Sequence, residues 1–157
     1  MIAAGEAYRR LAPAVLGYLR AQGAPDPEDL VGEVFLNVAR DLSRFRGDDD
    51  ALRRWVFTIA HNRLLDARRR ASRRPQMARV PLPDVASPPP AEPLDPELVA
   101  ALDTLTAEQR EVVVLRFVAD LSLDDVARIT RRKVGAVKAL QHRALETLAR
   151  QLRGTAG

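Results

Sequence analysis

The sequence contains no cysteine, which excludes disulfides and thiolate metal sites and leads us to expect a cytoplasmic protein. Aromatic residues make up only 4% of the chain. Any core must then come from Leu, Val, Ala and Ile. Such a core suits small helical domains better than a sandwich or barrel, which favour β-branched and aromatic strands. There is no run of about 18 apolar residues, so no membrane span is expected. A secretory leader is not expected either, because Met1–Gly5 is short and the charged residues Glu6, Arg9 and Arg10 follow at once. Gly-rich phosphate loops and nucleophile motifs are missing as well. The histidines, His61 and His142, fall in different parts of the chain. No enzyme activity, metal or cofactor is therefore expected.

Charge is present in blocks. Between Arg63 and Arg79 stand seven arginines and one acid, Asp66; between Arg131 and Arg150 stand six bases and one acid, Glu146. Between Asp26 and Glu33 there are four acids and no base. Two separate basic segments point to a polyanion touched at two places. The 157 residues suit one medium domain or two small ones.

The segment 71–94 holds seven prolines and cannot sustain helix or sheet. It is expected to be an extended connector reaching at most roughly 75 Å. That length corresponds to about 22 base pairs of duplex. Both sides of it read as helical, so the fold class is all-α: residues 1–70 form one small domain and 95–157 another. In the first, Tyr8, Leu11, Val15 and Leu19 recur at helical spacing, and Gly23–Pro25 ends that helix. Asp26 is expected to cap the next helix, with Pro27 in its first turn. Leu30, Val34, Val38 and Leu42 form its stripe, with Val31 and Phe35 beside it. A long helix follows over 51–70, with Leu52, Val56, Ile59 and Leu64 inward.

The second domain is expected to hold three helices. A capping box at Thr106-Ala107-Glu108-Gln109 opens the helix that carries Val112, Val113, Leu115, Phe117 and Val118. Ser122 caps a short helix to about Ile129, a turn spans 130–133, and a final helix runs over 134–152. Two short helices with a tight turn, the second of them basic, make a helix-turn-helix. Ala127 is small where the helices cross, and Val137 faces it; Val126, Ile129 and Leu140 complete the contact. Ala144, Leu148 and Leu152 continue the inner face. Lys138, Gln141, His142 and Arg143 are expected on the outer face as donors to phosphates and base edges, with His142 donating through either ring nitrogen. No metal role is expected for His142, on the reading that its face offers no second ligand one turn on. Arg131 stands where such turns favour a glycine at positive φ, which costs about 1–2 kcal/mol or widens the turn. Arg132 stands where an apolar residue is common.

In the first domain, Asp29 and Glu33 lie at i and i+4, giving a local acidic surface suited to a basic partner helix. Trp55 and Phe57 lie beside Arg53, Arg54 and Arg63. Aromatics among cations suit single-stranded DNA, whose bases stack while its phosphates are neutralised. Core packing suits the same rings. Asn62 reads equally well as a base-edge contact or a surface amide, and Arg68–Arg70 as phosphate contacts.

These segments resemble the sigma-70 family of RNA polymerase subunits. Leu105–Val112, Leu121–Ala127 and Val134–Lys138 look like its fourth conserved region, which in that family reads the −35 promoter element as duplex. Asp26–Leu36 resembles the helix of the second region that binds the polymerase clamp. Trp55–Asp66 resembles the adjoining helix that opens the strands and reads the −10 element. The similarity covers about Ala7–Arg70 and Leu98–Leu152, with the connector between, as in the small extracytoplasmic-function (ECF) group. It implies that Asp29, Leu30, Glu33 and Asn37 bind core polymerase. It places Arg53, Arg54, Trp55, Asn62, Arg63 and Arg69 on the −10 element, and Arg131, Arg132, Lys133, Lys138, Gln141, His142 and Arg143 on the −35 element. The partners it implies are core RNA polymerase at clamp and flap, promoter DNA and an anti-sigma factor. One departure is Gly32, where the family often has glutamine. The reading from a different class is a conventional helix-turn-helix regulator that binds duplex alone.

Overall fold

A computed structural model of the chain describes residues 2–73 and 95–156. Most of the connector expected over 71–94 lies outside the described residues. The chain divides into two compact units, 1–91 and 92–157. No strand occurs among the described residues.

Unit 1 is built on α1 (Ala4–Ala21), α2 (Pro27–Asp41) and α3 (Asp49–Arg73), each packed on the other two. Its core is aliphatic, as the shortage of aromatics requires: Leu11, Val15 and Leu19 meet Leu30, Val31, Val34, Val38, Leu52, Val56 and Leu64. Burying each such side chain contributes about 1.5–3 kcal/mol. The two aromatic contacts between helices are edge-on, Tyr18 with Phe57 at 5.7 Å and Tyr8 with Phe35 at 5.1 Å. The Tyr18 hydroxyl lies 3.4 Å from Nδ1 of the buried His61. Gly23, at φ 66°, ends α1 as expected.

Three details differ from the sequence expectations. Asp26 does not cap α2 through its side chain, because its backbone is left-handed (φ 49°, ψ 59°) and a cap needs extended backbone. Helix α3 starts earlier than residue 51, since Asp48 Oδ1 accepts from the Ala51 amide at 2.9 Å and so satisfies its first turn. It also runs three residues past Arg70. Ile59 is only half-buried; the inner face is held by Val56, Phe57, Ala60 and Leu64.

Unit 2 comprises α4 (Pro96–Asp103), α5 (Ala107–Val113), α6 (Leu123–Thr130) and α7 (Val134–Ala156). The sequence reading missed α4, although Asp95-Pro96-Glu97 repeats the start signal of α2 at Asp26-Pro27-Glu28. Here the acid does cap: Asp95 Oδ1 accepts from the Glu97 amide at 2.9 Å. The capping box closes reciprocally, with the Gln109 amide donating to Thr106 Oγ1 at 3.1 Å and the Thr106 amide to Gln109 Oε1 at 3.3 Å. Ser122 caps α6 through the Asp125 amide.

Helix α5 passes into a π turn over Val114–Val118, closed by the Ala119 amide on the Val114 carbonyl at 3.0 Å. A π turn inserts an extra residue and rotates the side chains beyond it around the helix axis. Phe117 is consequently 53% exposed, with the Arg116 guanidinium 5.6 Å over its ring.

The turn between α6 and α7 keeps its tight form without glycine. Arg131 is left-handed (φ 57°, ψ 42°), the Arg132 amide donates to the Ala127 carbonyl at 3.0 Å, and the Arg131 amide donates to Arg128 at 3.4 Å. This is the paired hydrogen-bond pattern that glycine normally serves. Arg131→Gly removes the Cβ strain at the cost of some chain entropy, and is expected to raise the stability of unit 2 by about 0.5–1 kcal/mol. A denaturant midpoint that falls instead would show that the left-handed arginine is unstrained.

Candidate nucleic-acid and protein interfaces

The acidic face on α2 is built from residues with unequal freedom. Glu28 is engaged by Arg20 at 3.0 Å, and that hydrogen bond holds its carboxyl below the usual carboxylate range. Glu33 is half-buried; its Oε2 is enclosed and lies 3.7 Å from the Arg70 guanidinium of α3. Asp29 is exposed. Leu30 does not belong to this face: at 3% exposure it is a core residue, because its place in the Leu30–Val34–Val38 stripe outweighs its nearness to the acids. Leu36, absent from the expected set, is 69% exposed on the same helix. Its signal was legible as a large apolar residue standing off that stripe. Asn37 is half-buried, and its amide ties α2 to α3: Nδ2 donates to Asp41 at 3.0 Å and Oδ1 accepts from Arg63 at 2.9 Å. Nothing in the structure requires glycine at position 32, where an added Cβ would meet open space.

On α3, Asn62 and Arg69 are exposed, and Arg53, Arg54, Trp55 and Arg63 are half-buried. Phe57 is 0% exposed and cannot stack on a base. The ring beside Trp55 is instead Phe45, from the loop between α2 and α3, stacked at 5.2 Å with planes 17° apart. Sequence reasoning missed Phe45 because it is ten positions away. Arg46 Nη1 fastens this loop by donating to the carbonyls of Ser43 and Phe45 at 3.0 and 2.8 Å. Gly47 (φ 152°) is required there, since a Cβ would stand 2.7 Å from that of Ala51 and 3.1 Å from the Phe45 ring. A cavity of about 460 Å³ opens beside the loop, lined by Leu42, Phe45, Arg46, Asp48 and Leu52 among others. Arg63 is partly engaged by Asn37, and Arg69 by Asp66 at 3.2 Å.

On α7, Lys138, His142 and Arg143 are exposed, as are Arg131 and Lys133 in the turn. Two expected members differ. Gln141 is half-buried with Oε1 enclosed, because it continues the inner row Val137, Ala144, Leu148 at helical spacing. Arg132 is half-buried too, with Nε enclosed, consistent with a position that favours an apolar residue. Leu140 is half-buried rather than buried, and Leu152 is 42% exposed because the last turns of α7 run beyond the packed part of the unit. His142 does not have both ring nitrogens free: Nε2 lies 2.9 Å from Glu146 Oε1. Glu146 also overturns the reading that no ligand-type residue stands one turn on. No group of three or more such side chains occurs among the described residues.

Residues 6–74 match the Sigma-70 region 2 family, and residues 96–148 match Sigma-70 region 4. The chain is 33% identical over 142 residues to the ECF RNA polymerase sigma factor BldN of Streptomyces coelicolor, covering 86% of this chain and 54% of that one. It thus spans about half of BldN. It is 32% identical to the RNA polymerase sigma factor CarQ of Myxococcus xanthus, covering 94% of this chain and 87% of CarQ. Among solved structures it is similar to the sigma factor RpoE of Bartonella quintana, bound there to the anti-sigma factor NepR. The TM-score is 0.72 at 26% identity, over 92% of this chain and 93% of that one.

Proposed function

Given that this chain belongs to the sigma-70 family of RNA polymerase sigma factors, in its ECF group, we propose that it joins core polymerase and selects promoters through two surfaces of different kinds. The observation that carries this reading is the contrast between those surfaces. Unit 1 offers an aromatic pair, Trp55 on Phe45, beside half-buried arginines, which suits unstacked single-stranded bases. Unit 2 offers a helix-turn-helix with cations along one face, which suits duplex. A duplex-only regulator has no use for the first. Residues 1–70 serve the −10 element and the polymerase clamp, 95–157 serve the −35 element and the flap, and 71–94 connect them. Arg53, Arg54, Trp55, Asn62 and Arg69 meet the opened strand; Phe45 joins them and Arg63 braces the helix. Asp29, Glu33 and the exposed Leu36 meet the clamp, with Asn37 holding their helix in place. The protein acts in the cytoplasm without catalysis, and an anti-sigma factor covers the same surfaces when it is held inactive.

Run-off transcription from genomic fragments, with core polymerase with and without this chain, tests the reading. Discrete new transcripts are expected. Retention of duplex with no effect on start sites would favour the conventional regulator.

On α7, a base-reading contact is distinguished from a phosphate contact by its signature. A bidentate arginine on a base contributes about 1–3 kcal/mol of discrimination, whereas a phosphate contact changes the salt slope evenly. Arg143→Ala is expected to relax preference at particular upstream base pairs and leave core binding intact. Arg131→Ala and Lys133→Ala are expected to weaken binding across all sequences and flatten its salt dependence. Arg132 has the same assignment through its guanidinium tip. Holoenzyme binding to single-base promoter variants at several salt concentrations separates the two. Unchanged preferences for Arg143→Ala would move base reading to Lys138 or His142.

A further inference from the structure

We propose that Glu146 is a positioning residue that fixes the tautomer of His142, so that His142 reads an exocyclic base amine, on adenine or cytosine, in the major groove. The inference rests on the reading of α7 as the helix that enters the −35 duplex. His142 and Glu146 are one turn apart on α7, both exposed, with Nε2 and Oε1 at 2.9 Å. An ionised carboxylate can only accept a hydrogen bond. The nitrogen facing it must therefore carry the proton. In a neutral imidazole the other nitrogen is then a bare acceptor. Nδ1 of His142 has no partner among the described residues, so it is the polar atom of the ring left for a ligand.

The chemistry of the groove decides what that atom can take. Adenine N6 and cytosine N4 present donors there, whereas guanine N7 and O6 and thymine O4 present acceptors. A lone pair aimed at guanine or thymine meets another lone pair. A fixed acceptor thus selects by attraction and by repulsion together. The division of labour on α7 follows: Lys138 and Arg143 can only donate and suit guanine or phosphate, while His142 supplies the complementary acceptor. An exposed contact of this kind is weak in water. Docking in the groove excludes water and strengthens the pull of the carboxylate on the Nε2 proton. The carboxylate is tolerated near phosphates because Arg143 and Arg150 stand at i−3 and i+4 from it on the same helix.

The test has two readouts on the full chain. Nitrogen-15 NMR of the neutral imidazole is expected to show the proton of His142 at Nε2 in the wild type. In Glu146→Ala it should be a mixture of tautomers. Holoenzyme binding to single-base variants of the upstream element is expected to show one position preferring adenine or cytosine by about fivefold or more. His142→Ala and Glu146→Ala both lose that preference. Glu146→Gln retains most of it, because its amide oxygen still accepts from Nε2–H after the charge is gone. If His142→Ala loses the preference and Glu146→Ala keeps it, the positioning role is overturned while the reading of α7 stands. A wild-type preference for guanine at the position lost in His142→Ala overturns the acceptor assignment. If neither of these variants nor Arg143→Ala alters any upstream preference, the reading of α7 itself fails.

Discussion

Asp29→Arg combined with Glu33→Arg is expected to abolish retention of the chain by core RNA polymerase while leaving its helical circular dichroism near wild type. The two acids stand at i and i+4 on α2, where a basic partner helix would meet both at once. Removing one partner of a charge pair buried in an interface costs about 2–5 kcal/mol, or roughly 30-fold to several thousand-fold in affinity. Reversal adds repulsion to that loss. The two positions differ in what the fold requires of them. Glu33 lies 3.7 Å from Arg70, so Glu33→Arg brings two cations together at the junction of α2 and α3. Asp29 is exposed and carries no such internal duty. Asp29→Arg alone therefore isolates the interface from the fold. Leu36→Asp is the apolar counterpart, since a large side chain 69% exposed gains from being covered and stabilises little inside unit 1. Undiminished co-purification of Asp29→Arg, Leu36→Asp and the double reversal would place the polymerase contact elsewhere.

The elements that the sequence made legible are those with a local code. The reciprocal Thr106–Gln109 box and the Ser122 cap satisfy orphan helix amides within a few residues, and Pro27 removes one from the first turn of α2, so spacing alone reveals them. Arg131 is similar: two hydrogen bonds on the α6 carbonyls demand a left-handed residue whatever its side chain. Illegible parts were decided at longer range. The π turn at Val114–Val118 depends on a bond five residues long and has no signature in the apolar pattern, so the exposure of Phe117 was not legible. Gln141 and Leu140 are neighbours roughly 100° apart around α7, and only packing within unit 2 settled how far each turned inward. Leu30 satisfied two patterns at once, the apolar stripe and the acidic motif. Burial won because exposing a leucine costs about 1.5–3 kcal/mol.

The aromatic pair of α3 gives the sharpest separation of structure from function. Phe57→Ala is expected to unfold much of unit 1, whereas Trp55→Ala leaves it folded and impairs promoter opening. Phe57 is 0% exposed, edge-on to Tyr18 at 5.7 Å and 6.0 Å from the Arg53 guanidinium. Truncating such a ring costs about 3–5 kcal/mol, because the cavity cannot fully collapse. A small unit has little more than that in reserve, given total stabilities of about 5–15 kcal/mol for whole domains. Trp55 is half-buried and stacked on Phe45 at 5.2 Å, so its removal forfeits that aromatic contact, about 0.5–1.5 kcal/mol, plus partial burial. The lost base stacking is larger in effect, about 1–3 kcal/mol per base, or roughly 5- to 150-fold in binding to pre-melted promoter DNA. Trp55→Phe should recover much of it, since a smaller ring still stacks. Trp55 is the sole tryptophan, so its fluorescence reports unit 1 alone in the Phe57→Ala chain. Circular dichroism serves for Trp55→Ala. Permanganate reactivity of promoter thymines in the holoenzyme complex reads strand opening directly. Equal loss of stability in the two variants, with the opening defect tracking the unfolded fraction, would make Trp55 a core residue like Phe57 and remove it from the single-strand surface.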